Sequence, residues 1–123
     1  QHAKVSAGGD SRVMGDRRGR PWTIGIRDPR RPAEVIALLP LEDTSVSTSG
    51  DYERYFIEDG VRFHHLIDPA SGQSPSSVHS VTVLGDNCMN ADAAATAVFG
   101  MATDAAQRMV RRVLGDADVI PLT

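Results

Sequence analysis

In the stretch ADAAATA, residues 91–97, Asp92 and Thr96 stand four apart, and in a helix that spacing puts a carboxylate and a hydroxyl on one face. Both are hard oxygen donors of the type Mg2+ accepts, with phosphates and waters completing its octahedron. The same residues also have local uses: an aspartate early in a helix complements the dipole, and a helical threonine bonds its own backbone. The spacing alone leaves both readings open.

FHHLIDP, residues 63–69, supplies a different chemistry. In an extended segment His64 and His65 point to opposite faces, so only one of them faces a given cleft. Imidazole suits proton transfer near neutral pH, and Asp68 could orient it or stabilise its charge. Asp68-Pro69 also opens DPASG, a turn signature. In GGD, residues 8–10, Gly8 and Gly9 fit either a tight hairpin turn or the close approach of a ligand to bare backbone. STSGDY, residues 47–52, reads as a polar loop ahead of a strand, able to cradle phosphate with its N–H groups. It lacks the spacing and the lysine of a nucleoside triphosphate loop. A hydrolase built from Ser49, His65 and Asp68 has no nucleophile elbow and matches no known triad order. The arginine-rich stretches DRRGRPW and RDPRRP read as solvated loops.

The elements that must position these groups are mostly short strands. AKVSA (3–7) and SRVM (11–14) flank the GGD turn, WTIGI (22–26) follows, and the three are expected to pair as an antiparallel meander. The apolar residues of EVIALLPLED fit either a short helix or a strand, and the strand is favoured because Pro40 opposes a long helix. YERYFIE and VRFHHLI are joined by Asp59-Gly60, a strong hairpin signal because both turn positions tolerate positive φ. HSVTVLG (79–85) adds another strand. From Ala91 the alanine-rich texture predicts two consecutive helices, with Asn90 and Thr103 as N-caps, and ADVIPL closes the chain as an edge strand. The methionines and Phe99 fall where helices need core. The class is α+β: a mostly antiparallel sheet with two C-terminal helices packed on one face.

At 123 residues, 41% hydrophobic and 24% charged, the chain suits one soluble-type domain with a single modest core. A net charge of −3 gives no electrostatic case for nucleic acid. The lone Cys88 cannot close an internal disulfide and fits either redox compartment. No run approaches the roughly 18 apolar residues of a membrane span. Gln1 in place of Met leads us to expect a start made by truncation, processing or omission.

Read together and in order, SAGGDSRVMG, PWTIGIRDP, SVSTSGDYERYF, HHLIDPASGQSP, SVTVL and NADAAATAVFGM closely resemble the successive signature blocks of the ApbE family, the FAD:protein FMN transferases, across essentially the whole chain. The resemblance implies an enzyme that cleaves the pyrophosphate of FAD with Mg2+, attaches FMN through a phosphoester bond to a Thr or Ser of a target flavoprotein, and releases AMP. It implies His65 as the catalytic group that helps deprotonate the acceptor hydroxyl, Asp68 as a positioning residue at the same rim, and Asp92 and Thr96 as Mg2+ ligands. Gly8, Gly9 and Asp10, with Ser49, Gly50 and Asp51, resemble blocks near the flavin nucleotide. Ser6 stands where the family usually has Asn, so a contact made by that amide would be shortened or lost.

The resemblance further implies that residues 1–123 are the C-terminal portion of the fold, with the N-terminal half supplied elsewhere or by another chain. Such a chain is either part of an active transferase or a truncated, inactive flavin-binding or interaction module. Many members reside in the cell envelope or periplasm, but the residues present fix no compartment.

Overall fold

The structure, a computed structural model, describes residues Gln1–Thr123. Nine strands and two helices follow one another as β1 (Ala3–Ala7), β2 (Asp10–Met14), β3 (Trp22–Arg27), β4 (Val35–Leu41), β5 (Ser45–Gly50), β6 (Tyr55–Glu58), β7 (Val61–His64), β8 (Ser80–Gly85), α1 (Cys88–Ala97), α2 (Thr103–Leu114) and β9 (Asp118–Leu122). The main sheet has the order β1-β2-β5-β8-β9 and every pairing in it is antiparallel. The expected α+β architecture is observed.

Alternation along the central strands divides the core in two. Ser47 pairs with Val83 and Ser49 with Val81, so these four share a face. Val81 and Val83 pack there with Ala91, Ala95, Ala106 and Val110 of the helices. Val46 pairs with Leu84 on the opposite face and meets Val13 and Ile24, with Trp22 and Leu41 alongside. The β3–β4 ribbon therefore covers one face of the sheet and the helices the other. β3 does not extend a meander with β1 and β2: it pairs only with β4, because its buried Ile24 and Ile26 need the sheet face rather than its edge.

The Asp59-Gly60 hairpin forms as expected, with φ of 49° and 78° at its two turn residues and Phe56 stacked on Phe63 across the strands. Three other expectations are corrected. STSG is not a loop: it is most of β5, where serines at alternate positions face α1. Its polar composition hid a strand paired along its whole length with β8. The N-cap of α1 is Asn87, whose side chain accepts from the Asn90 N–H at 3.1 Å, and α2 starts after Ala102 with no side-chain cap. Asn90 and Thr103 are thus inside their helices. Phe99 is buried as expected, but Met89 is 75% exposed and packs no core.

α1 lies on the sheet through Ala91 and Ala95, one turn apart and fully buried. Small side chains at those positions let the helix approach β5 and β8 closely. α2 buries Ala106 and Val110, carries Asp104 in its first turn and Arg111 and Arg112 in its last, each on the side the dipole favours. Gln107 ties it to the edge strand: its Nε2 donates to Ala117 O at 2.8 Å and its Oε1 accepts from the Val119 N–H at 2.9 Å. No helix is long and apolar enough to cross a membrane.

Candidate functional site

The close approach of α1 to β5 decides which side chains meet. Asp92 and Thr96 each follow a buried alanine, which turns them to the edge of the helix, toward the serines of β5. Ser47 Oγ lies 3.5 Å from Asp92 Oδ1, and Ser49 Oγ lies 3.1 Å from Thr96 Oγ1. The serines are two apart on one strand face and their partners four apart on one helix face, so the two repeats run side by side.

β2 adds a third element. Its pairing with β5 sets Ser11 against Val46, and one step further along the same register Asp10 falls opposite Ser47. Ser47 Oγ donates to Asp10 Oδ1 at 2.5 Å. Asp10, Ser47, Ser49, Asp92 and Thr96 thus form one oxygen-rich cluster where three elements converge. Beside it the Cys88 thiol has its pKa raised, first by burial and then by the Asp10 and Asp92 charges, with Arg12 opposing. That thiol is held protonated and is a poor nucleophile.

No three His, Cys, Asp or Glu side chains converge anywhere in the chain. The donor set at this cluster is two carboxylates with hydroxyls, hard oxygens that fit Mg2+ better than zinc or copper. Neither Asp10 nor Asp92 takes part in an ion pair. The cluster therefore holds negative charge that no basic side chain neutralises.

From Thr96 a cleft runs along the segment 67–75. A cavity of about 580 Å3 is lined by Asp68, Ser74, Pro75, Thr96 and Gly100 among others, and a second of about 290 Å3 by His65, Leu66, Pro75, Thr96 and Phe99. Thr96 and Pro75 line both, so the histidine rim and the Thr96 end of the oxygen cluster border neighbouring cavities. A third, apolar cavity of about 230 Å3 lies between α1 and α2 and has almost no polar lining.

The two histidines divide as alternation demands. His64 is 6% exposed, packed edge-on against Phe99, and its Nε2–H donates to Pro75 O at 2.9 Å. Its backbone is clamped by Ser74, whose Oγ accepts from the His64 N–H and donates to the His64 carbonyl. His65 is exposed. The carbonyl of Arg54 accepts both from its N–H at 3.2 Å and from Nδ1 at 3.3 Å. A carbonyl can only accept, so Nδ1 carries a proton, and in the neutral ring Nε2 is the free nitrogen.

Asp68 does not touch either histidine. Its carboxylate accepts from the Ala70 N–H at 3.0 Å and Ser71 Oγ at 2.8 Å, and its carbonyl accepts from the Gly72 N–H. Those contacts, the Ala70 N–H first, hold its carboxyl below the usual carboxylate range. Asp68 therefore shapes the cleft wall through its turn.

The glycine blocks differ in kind. Gly8 and Gly9 form the two-residue turn between β1 and β2, at φ of 61° and 98°, and a Cβ on either would meet nothing. Their outer face is open beside Asp10. A Cβ on Gly50 would instead lie 2.6 Å from the Tyr52 ring, so glycine there admits the tyrosine. Asp51 is 4% exposed, bonded to His79 Nδ1 at 2.7 Å and to Arg62 at 3.3 Å, with Arg62 also over the Tyr55 ring. Gly50 and Asp51 thus have structural partners of their own. Ser47 was not singled out by sequence; the signal available was Ser45, Ser47 and Ser49 at a period of two, legible only once the segment is taken as a strand.

The chain is matched over residues 1–120 by the model of the ApbE family. A relative named FAD:protein FMN transferase from Rhodobacter capsulatus is 43% identical over 121 residues, 94% of this chain and 23% of its own length. One of the same name from Vibrio cholerae is 43% identical over 100 residues, 79% of this chain and 30% of its own. Among solved structures, an ApbE protein from Thermotoga maritima superposes with a TM-score of 0.83 at 39% identity, covering 98% of this chain and 39% of that one. The flavin transferase ApbE from Vibrio cholerae gives 0.70 at 33%, covering 96% and 37%. The chain spans about a quarter to a third of the length of the curated relatives it matches.

Proposed function

We propose a transferase role for this chain, which belongs to the ApbE family: as one domain, the C-terminal portion of an FAD:protein FMN transferase, it contributes the cation ligands and the proton acceptor of the active site. The substrates are FAD and a flavoprotein carrying an acceptor Thr or Ser, and another polypeptide segment completes the pocket. The reading is supported above all by the cleft that Thr96 and His65 both line, which joins a hard-oxygen cluster to an imidazole with a free nitrogen.

Asp92 and Thr96 are the residues that would hold Mg2+, which when bound would screen the FAD phosphates and stabilise charge on the departing one. His65 Nε2 takes the proton of the acceptor hydroxyl as its oxygen bonds to the phosphorus of the FMN half. The pyrophosphate bond to the AMP half breaks, and AMP leaves with the bonding electron pair. Arg54 O holds the imidazole in the tautomer this transfer needs, and stabilises the Nδ1–H as the ring becomes positive. Asp68 keeps the wall of the cleft in place by holding its turn. Gly8 and Gly9 offer a side-chain-free edge to the nucleotide with Asp10 beside it, and Ser49 lies within reach of it through Thr96; Gly50 and Asp51 support the end of β5 that carries Ser49.

Calorimetric titration of FAD into the chain, with and without Mg2+ and with and without the remaining portion of a family member, tests this reading. FAD binding that strengthens with Mg2+ in at least one mixture is expected. A folded chain that binds no FAD in any mixture would overturn the reading in favour of an inactive interaction module.

A further inference from the structure

We infer that Asp10 is a positioning residue for Asp92, acting through the direction of the single Ser47 hydroxyl proton. The inference rests on the cation reading of Asp92 and Thr96. A serine hydroxyl has one proton to give and can satisfy one carboxylate at a time. Ser47 is 1% exposed and stands between two. Its contact with Asp10 Oδ1, at 2.5 Å, lies in the short range of charge-assisted O–H···O bonds, whereas its 3.5 Å separation from Asp92 Oδ1 lies at the outer limit of a hydrogen bond, well past the usual range of about 2.5–3.0 Å for two oxygens.

Asp10 therefore takes the proton, and Asp92 Oδ1 faces the lone-pair side of the hydroxyl. Two consequences follow for Asp92. Ser47 gives its charge no strong donor, and the hydroxyl lone pairs on that side favour a cation shared between the two oxygens. With no ion pair to either aspartate, nothing else in the chain performs that neutralisation. Were Asp10 an amide, its neutral oxygen would be a weaker acceptor than the Asp92 carboxylate, and with Nδ2 turned to donate to Ser47 Oγ the serine proton would go to Asp92. A carboxylate oxygen that already accepts a hydrogen bond is a weaker cation ligand.

The prediction is a reversal of sign, measured as Mn2+ affinity by the loss of the free-ion electron paramagnetic resonance signal. Asp10→Asn is expected to weaken Mn2+ binding about tenfold or more. Adding Ser47→Ala to that variant removes the misdirected proton and is expected to recover about threefold or more, the worth of one modest hydrogen bond. Ser47→Ala alone is expected not to raise affinity, because there the proton already points at Asp10. Circular dichroism confirms folding of each variant; should Asp10→Asn fail to fold, Asp10→Ala frees the same proton and is read by the same reversal.

If Ser47→Ala lowers affinity or leaves it unchanged in the Asp10 variant, Asp10 acts by charge or as a ligand and the inference is overturned while the cation reading stands. If the folded wild-type chain binds no Mn2+, alone or mixed with the remaining portion of a family member, the cation reading falls and takes the inference with it.

Discussion

Gly100 ends the α1 turn against Pro75, and replacing it tests how the cleft wall is held. At φ 83° an alanine would sit in the left-handed region, costing about 1–2 kcal/mol. Its Cβ would also lie 2.7 Å from Pro75 Cγ and 2.8 Å from Pro75 Cβ, far inside the roughly 3.5–4.0 Å of carbon contact. Relieving that overlap costs a further ~1–3 kcal/mol, because Pro75 is fixed on its other side by the His64 Nε2–H bond to its carbonyl. Gly100→Ala is therefore expected to lose about 2–5 kcal/mol, a fall in Tm of roughly 8–20 °C at ~2.1 cal/mol/K per residue. Gly72→Ala is the matched control: its φ is 68° and its Cβ would meet nothing, so only the backbone cost applies, about 4–8 °C. Thermal unfolding by circular dichroism compares the two. Equal losses would refute the contact between Gly100 and Pro75 as a structural constraint, and with it the rigid wall between His65 and Thr96.

Three further outcomes follow from single side chains. Thr96→Val keeps shape and β-branching but removes the hydroxyl facing Ser49, so Tm should move by only a few degrees, for about 0.5–1 kcal/mol, while Mg2+ affinity measured by calorimetry falls about tenfold or more. Asp51→Ala strips the acceptor from His79 and Arg62 at a 4% exposed position; because both partners reach solvent, the expected loss is about 2–3 kcal/mol, below that of a fully enclosed pair, and is read from urea unfolding. Asp68 has a carboxyl held below its usual range, so its contribution is present above the ordinary aspartate pKa of about 3.9 and lost as pH falls through the lowered value. The Tm gap between wild type and Asp68→Asn should accordingly be open at neutral pH and close in acid; a gap that widens in acid would contradict the turn contacts.

Much of this was legible in the residues. The Asp59-Gly60 turn, the alanine-rich helices and the closing edge strand follow from local chemistry, and the structure has them. Opposite faces for His64 and His65 follow from alternation alone, and the burial of one and exposure of the other agree. What failed was long-range or compositional. Serine and threonine in STSG look like a loop because they compete for backbone bonds in isolation; β8 pairs with every one of these residues, and β2 joins at the start of β5, which makes it a central strand. Nothing local shows that WTIGI pairs with the strand after it, since the choice depends on an apolar patch formed by Val13, Val46 and Leu84 from three separate strands. The cluster around Asp92 was half visible: i,i+4 spacing gives Asp92 and Thr96, but Asp10 and Ser47 join only through the register of β2 on β5. Asp68 reads as a positioning residue at the histidine rim; it lines the neighbouring cleft, and its carboxylate is spent on its own turn.

The most direct test of the central claim is FMN transfer by a chimera in which this chain replaces the matching portion of the Thermotoga maritima relative, to which it is similar over 98% of its length. Flavin fluorescence of an acceptor flavoprotein after denaturing electrophoresis reports the covalent product. With FAD and Mg2+, the folded chimera should label the acceptor and its His65→Ala form should not, while both bind FAD alike. A folded chimera that leaves the acceptor dark, or a His65→Ala form that labels it at the parent rate, would contradict the assignment of proton transfer and cation binding to this chain.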